Sequence, residues 1–198
     1  MPQNRRRLFV IGIRKDIKVK DFKYPEPLGV EKLPFYMQDI LEDNCKYDPS
    51  GRNYTFSKKD GSLIIKKIKG VPDPRFNLTP KVRDYVLKTG TKGFKTSTQT
   101  DLKIARTLLR TMTQHHRAGV DNYITTGEKN GVKDLRSLTD RECLRLMGFT
   151  DDFKIVVSPM QVLRQAGNSI VVDVMMAIIK EIYKTGVFDN IDGGVSNE

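Results

Sequence analysis

A cluster of hydrogen-bond donors, Gln3-Asn4-Arg5-Arg6-Arg7, opens this chain and leads straight into the apolar run from Leu8 to Ile13. A guanidinium keeps its charge at physiological pH and donates through a planar fork, which suits phosphates and the edges of bases. In an extended segment Arg5 and Arg7 project to one side and Arg6 to the other. Such a cluster binds; by itself it breaks no bond. A second polar group, Gly167-Asn168-Ser169, precedes an apolar stretch near the carboxyl end and, from its own chemistry, reads as a loop and helix cap. Cys45, Cys143 and the adjacent His115 and His116 match no common zinc spacing, so no metal site is expected.

Charge says more by its placement than by its sum. Of the net +11 over 198 residues, segments 1–57, 58–110 and 111–198 contribute +3, +10 and −2. The concentration in the middle segment favours a polyanionic partner met by one face of the fold, the alternative being a solvated basic surface. With 38% hydrophobic and 30% charged residues the composition is that of a globular protein. No uninterrupted apolar run approaches the roughly 18 residues of a membrane helix, and no membrane association is expected. The amino end lacks an apolar signal-peptide core, which makes the cytoplasm the expected location and keeps both cysteines reduced.

Several elements follow from local pattern. Leu8 to Ile13 reads as a strand covered on both faces, hence part of a larger sheet. Tyr36 to Leu41 opens a short helix after Pro25, Pro27 and Pro34. Tyr54-Thr55-Phe56 and Leu63-Ile64-Ile65 flank Asp60-Gly61 and form a hairpin, and Pro80 to Leu87 forms a helical segment. Residues 88–103 read as loop with short strands. Asn130-Gly131 turns between Tyr123-Ile124 and Val132 to Leu135, through a loop that extends back toward Thr125. Thr139 and Glu142 have the spacing of a capping box; Cys143, Leu144 and Met147 then share a face, and Gly148 closes the helix. Asn168 or Ser169 caps a last helix with Val171, Val174, Met175, Ile178 and Ile182 at helical spacing. Ile170, Val172 and Ile179 widen that stripe until it asks for partners on two sides.

Three of these phrases together resemble one family. Gln3-x-Arg5-x-Arg7 before an apolar run resembles the eighth conserved motif of bacterial DNA cytosine-5 methyltransferases. Arg136-x-Leu138-Thr139-x-Arg141-Glu142-Cys143-x-Arg145-Leu146-Met147-Gly148-Phe149 resembles the ninth, and Gly167-Asn168-Ser169-Ile170-Val171-Val172 the tenth. They stand in family order around a variable basic segment. The resemblance implies an α/β protein: the C-terminal fragment of a Rossmann-like S-adenosylmethionine-dependent methyltransferase with a small α+β target-recognition domain. Residues 1–20 would be a catalytic-domain remnant and 21–158 the recognition domain. Residues 159–188 would pack on the catalytic domain, and 189–198 would be a frayed tail.

The same resemblance assigns residues. Double-stranded DNA is the implied partner and S-adenosylmethionine the implied cofactor. Gln3, Arg5 and Arg7 would border a flipped cytosine and the neighbouring backbone, with Arg7 on the base. Asn168 and Ser169 would line the cofactor. Arg136, Thr139, Arg141, Glu142 and Arg145 would organise the recognition domain. Ala105-Arg106-Thr107-Leu108 resembles the Thr-Leu element of many recognition domains, so Thr107 and Leu108 are family-like. Arg106, Arg110 and Gln114 become candidate groove contacts, since Arg can address guanine and Gln adenine. Lys92, Lys95 and Lys103 would meet phosphates.

The family's Pro-Cys nucleophile, its Glu-Asn-Val glutamate and its Phe-x-Gly-x-Gly cofactor loop are absent from these 198 residues. Cys143 lies inside the ninth-motif helix and Cys45 in a polar stretch. The expectation is therefore a chain that transfers no methyl group alone and works with a complementary catalytic subunit carrying the first seven motifs. Because Met1 leads at once into Pro2-Gln3, a split subunit, a piece of an interrupted gene or an internally initiated product is expected. The alternative is a stand-alone DNA-binding or regulatory module derived from a methyltransferase.

Overall fold

The computed structural model describes residues 1–27, 29–43, 54–56, 59, 63–65, 70–88, 98–112 and 114–189. Among them, strands β1 (Tyr54–Phe56) and β2 (Leu63–Ile65) form one antiparallel pair, in the register Tyr54 to Ile65 and Phe56 to Leu63. The Asp60-Gly61 turn expected between them lies outside the described residues. Strands β3 (Tyr123–Lys129) and β4 (Val132–Ser137) form the second pair. Asn130 and Gly131, at φ 53° and 74°, make a two-residue turn between Lys129 and Val132 whose twist matches the flanking strands. The strands run past the expected loop at Thr125. Asp101 accepts from the Thr125 amide at 2.8 Å, and a bulge between Thr125 and Gly127 absorbs the extra residue.

Helix α1 (Pro80–Leu87) starts where Thr79 accepts from the Val82 amide and proline occupies the first turn, whose amides need no helical partner. Its Val86 closes a small core with Tyr123 and Leu135. Helix α2 (Asp140–Leu146) carries both halves of the capping box, and Gly148 at φ 85° ends it. Helices α3 (Pro159–Asn168) and α4 (Val172–Lys184) complete the described chain. The larger core joins a 3-10 turn at Met37–Ile40 to Leu108, Met147, Leu163 and Ala166, so apolar groups from distant parts of the sequence share one interior.

Two expectations fail here. Leu8 to Ile13 is not a strand, and Leu8 and Val10 are 89% and 85% exposed. A strand is held by hydrogen bonds to a neighbour, and no strand among the described residues lies beside this run. Pairing occurs earlier instead, where Gln3 bridges Ala105 in parallel. Nor do Asn168 and Ser169 cap the last helix. Asn168 is the final residue of α3, Ser169 is that helix's C-cap, and Val171 precedes α4 without a side-chain cap bond. The missed α3 had a legible signal: Ser158-Pro159 at a helix start, then Val162, Leu163 and Ala166 on one buried face.

Of segment 88–103, residues 98–103 contain no strand and 89–97 lie outside the described residues, as does the tail from 190 onward. Pro159–Lys184 has the length and hydropathy of a membrane crossing. It is nevertheless two helices separated at Ser169 to Val171, with Val162, Leu163 and Ala166 buried in protein.

Candidate nucleic-acid interface

The amino-terminal cluster is laid along the 105–108 segment. The Asn4 amide donates to the Ala105 carbonyl and the Ala105 amide to the Pro2 carbonyl, each at 2.8 Å, and the Thr107 hydroxyl donates to the Asn4 carbonyl. Gln3 turns toward the core, with Nε2 3.7 Å from the Met147 sulfur and a buried Oε1 that has no partner. Arg5 also points inward: it donates to the carbonyls of Leu108 (2.9 Å), Gly167 (2.8 Å) and Ser169 (2.8 Å). Burial, and then the charge of Arg7, hold the Arg5 pKa below its ordinary value. Arg7 is exposed and donates only to the neighbouring Arg6 carbonyl at 2.7 Å. Within this trio Arg7 is the one whose fork faces outward.

The ninth-motif phrase forms a buried ionic joint. Arg136 and Glu142 are 1% and 0% exposed and meet fork to fork, both contacts at 2.8 Å. The carboxylate also accepts from the amides of Thr139 and Glu42, both at 2.9 Å. Burial works against the Arg136 charge, but the hydrogen bonds and charge of Glu142 outweigh it and its pKa is raised. Arg145 holds Asp151 bidentately at 2.7 and 2.9 Å and reaches the Ile40 carbonyl at 2.9 Å. Arg141 donates to the Phe153 carbonyl at 3.1 Å. These contacts fasten α2 to β4, to the 3-10 turn and to the segment after Gly148.

The groove candidates divide by exposure. Leu108 is 1% exposed, so its side chain anchors the loop from inside and cannot meet a groove. Arg106 is engaged with the carbonyls of Asp121 (3.1 Å) and Gln99 (3.4 Å), while its amide donates to Asn122 Oδ1 at 2.8 Å. Arg110 is exposed. Exposed Gln114 sits beside α3, where in the amide orientation that satisfies both groups it accepts from Arg164 Nη2 at 2.8 Å. Lys103 is exposed and places Nζ 5.7 Å from the Tyr36 ring centre. Lys92 and Lys95 lie outside the described residues.

A cleft of about 480 Å³ separates α3 from this part, with Phe76, Thr79, Val82, His116, Met160 and Leu163 on its walls. His116 Nδ1 is buried without a partner, and burial keeps the imidazole pKa below its usual value. Asn168 is exposed and Ser169 half-buried at the far end of α3, where the Ser169 hydroxyl donates to the Ile170 carbonyl at 3.2 Å.

Residues 1–184 match the C-5 cytosine-specific DNA methylase family. This chain belongs to that family. Among curated relatives, the Type II methyltransferase M.BsuFI of Bacillus subtilis is 30% identical over 90% of this chain and 35% of its own length. M.SsoII of Shigella sonnei is 31% identical over 93% and 41%, and M.HhaI of Haemophilus parahaemolyticus 26% identical over 92% and 49%. The chain therefore spans less than half the length of each of these relatives. A solved methyltransferase of Entamoeba histolytica superposes with a TM-score of 0.47 at 16% identity, covering 87% of this chain and 46% of that one.

As a cytosine-5 DNA methylase segment, the chain is a C-terminal portion of the S-adenosylmethionine-dependent methyltransferase fold. Sequence reasoning reached its motifs but missed three features of the site. The inward aim of Arg5, the packing of Gly167 against the backbone of Leu109 and Arg110, and the position of His116 on a cleft wall all depend on contacts between segments far apart in sequence. Only Gly167 carried a signal, since a glycine inside a helix costs about 1 kcal/mol relative to alanine and asks for a packing reason.

Proposed function

We propose that this chain is the DNA-recognition and pocket-closing part of a DNA cytosine-5 methyltransferase. It binds double-stranded DNA and acts together with a complementary polypeptide that carries the first seven motifs. The supporting observation is convergence: the Gln3–Arg7 cluster, the loop from Arg106 and the Gly167–Ser169 corner, far apart in sequence, meet at one guanidinium. Such an arrangement brings a target-base contact, a DNA-facing loop and a cofactor wall together, as a methyl transfer on a flipped base requires.

S-adenosylmethionine supplies the methyl group when bound. The residues present fit one polar wall for it, because exposed Asn168 offers both donors and an acceptor and the Ser169 hydroxyl keeps its lone pairs. Carbon 5 of cytosine is a poor nucleophile and needs a thiolate added at the adjacent carbon. Cys143 cannot serve: it is fully buried, and burial pushes its thiol pKa well up. The thiolate comes from the complementary polypeptide. Arg7, facing outward, meets the flipped base, while the exposed Arg110, Gln114 and Lys103 face the duplex; Lys92 and Lys95 are assigned to its phosphates by residue type.

The test is co-expression with a polypeptide carrying the first seven motifs, followed by bisulfite sequencing of host DNA. Modified cytosines that appear only when both are present are expected, and Arg7→Ala should depress modification more than DNA affinity. No complex and no modified cytosine would defeat the reading. Sequence-independent DNA binding in that case would favour a stand-alone binding module.

A further inference from the structure

An α-helix ends with carbonyls that have no amide four residues on, and a cation at that end is doubly favoured, by hydrogen bonding and by the helix dipole. At the end of α3 the cation comes from the other terminus of the sequence. Arg5 Nη2 donates to the carbonyls of Gly167 and of the C-cap Ser169, both at 2.8 Å. Its other terminal nitrogen, Nη1, donates to the Leu108 carbonyl at 2.9 Å. The two backbones it bridges already touch. A methyl group on Gly167 would stand 2.3 Å from the Arg110 nitrogen and 2.5 Å from the Leu109 carbonyl carbon. Asn4 and Thr107 tie the next residues together.

We infer that Arg5 is a positioning residue that couples the loop from Arg106 to Met112 with the Asn168–Ser169 corner. Ordering of either segment by its ligand then holds the other in its binding geometry. This rests on the proposed reading of those segments as DNA-facing and cofactor-facing. It also separates Arg5 from Arg7: the Arg5 fork is closed on protein carbonyls, so it acts on the reaction through the two segments. A lysine cannot replace it, because one ammonium on a flexible stem does not present a planar fork to three fixed carbonyls.

The first test needs no methylation. In the pure chain, hydrogen exchange should show that Arg5→Lys speeds the amides of Met112 and Ser169 together, by about tenfold, the effect of losing one charge-assisted hydrogen bond. Arg5→Ala should do so more strongly, and Arg7→Ala should move neither. Acceleration at one segment alone, or at neither, would overturn the coupling. Should Arg5→Ala fail to fold, the lysine variant still decides.

The second test uses the complex with the complementary polypeptide. Arg5→Lys should raise the KM for S-adenosylmethionine and the Kd for DNA about tenfold each, with kcat within about threefold. A fall in kcat at unchanged KM would instead make Arg5 a contact to the reacting base. If exchange changes as expected but the wild-type complex modifies no cytosine, the coupling stands and the methyltransferase reading fails.

Discussion

Replacing Glu142 by glutamine should cost this fold a large share of its stability. Each carboxylate oxygen accepts twice: Oε1 from Arg136 and the Glu42 amide, Oε2 from Arg136 and the Thr139 amide, all at 2.8 to 2.9 Å. Whichever way a glutamine amide points, its NH₂ group confronts two donors, so two bonds are lost. Arg136, at 1% exposure, also loses its counter-charge. Asp43 is 3.7 Å from the guanidinium but about half exposed, so it compensates only in part. Leaving a buried charge unpaired costs about 3–5 kcal/mol, against a total stability of about 5–15 kcal/mol for ordinary domains. With a urea slope of about 2 kcal/mol per molar, the denaturation midpoint should fall by about 1.5–2.5 M. The assay is urea unfolding of the pure chain at pH 7, followed by circular dichroism. A shift under about 0.5 M would refute the assignment. Adding Arg136→Met removes the orphaned charge, so the double variant should be more stable than Glu142→Gln alone, even if the single variant does not fold. A double variant that is worse than the single would mean that the charge is not the cause.

Other outcomes follow from the same contacts. Gly167→Ala should destabilise by about 2 kcal/mol or more despite alanine's better helix propensity, because its methyl meets the backbone of Leu109 and Arg110; a stabilised variant in thermal melts would contradict that close approach. His116 is kept neutral by burial, so its folded pKa lies below its unfolded value of 6.5. The unfolded chain therefore binds more protons as pH falls through that value, and stability drops toward the folded pKa. His116→Gln should flatten this decline below about pH 6.5, and an unchanged slope would show the assignment to be wrong. Asp121, whose carboxyl burial raises, acts with the opposite sign, so the difference between wild type and variant is the quantity to read. Arg110→Ala should weaken binding to duplex DNA and lower the salt slope by about one; an unchanged slope in fluorescence anisotropy would remove Arg110 from the interface.

What could be read in the sequence was whatever depends on near neighbours. The box of Thr139 and Glu142, the Asn130-Gly131 turn and the helix opening at Pro80 each set a local backbone geometry, and the structure has all three. The strand expected at Leu8 to Ile13 failed because apolar character records a need for burial without supplying the neighbour that meets it. Helix α4 shows the same gap between pattern and packing: Ile178 of its stripe is buried, but Val174 and Ile179 are 39% and 43% exposed.

The family was legible before any fold was known, since three phrases stand in a fixed order along the chain. The sequence also determined which residues could bind anions or bases, because those properties belong to side chains. Which of them face outward depends on packing between segments far apart in sequence. Arg5 and Arg7 stand two apart in one phrase, yet one closes on three carbonyls from segments more than a hundred residues away and the other points to solvent. A guanidinium can donate to a phosphate or to backbone carbonyls, and which one it meets is set by what the fold brings within 3 Å.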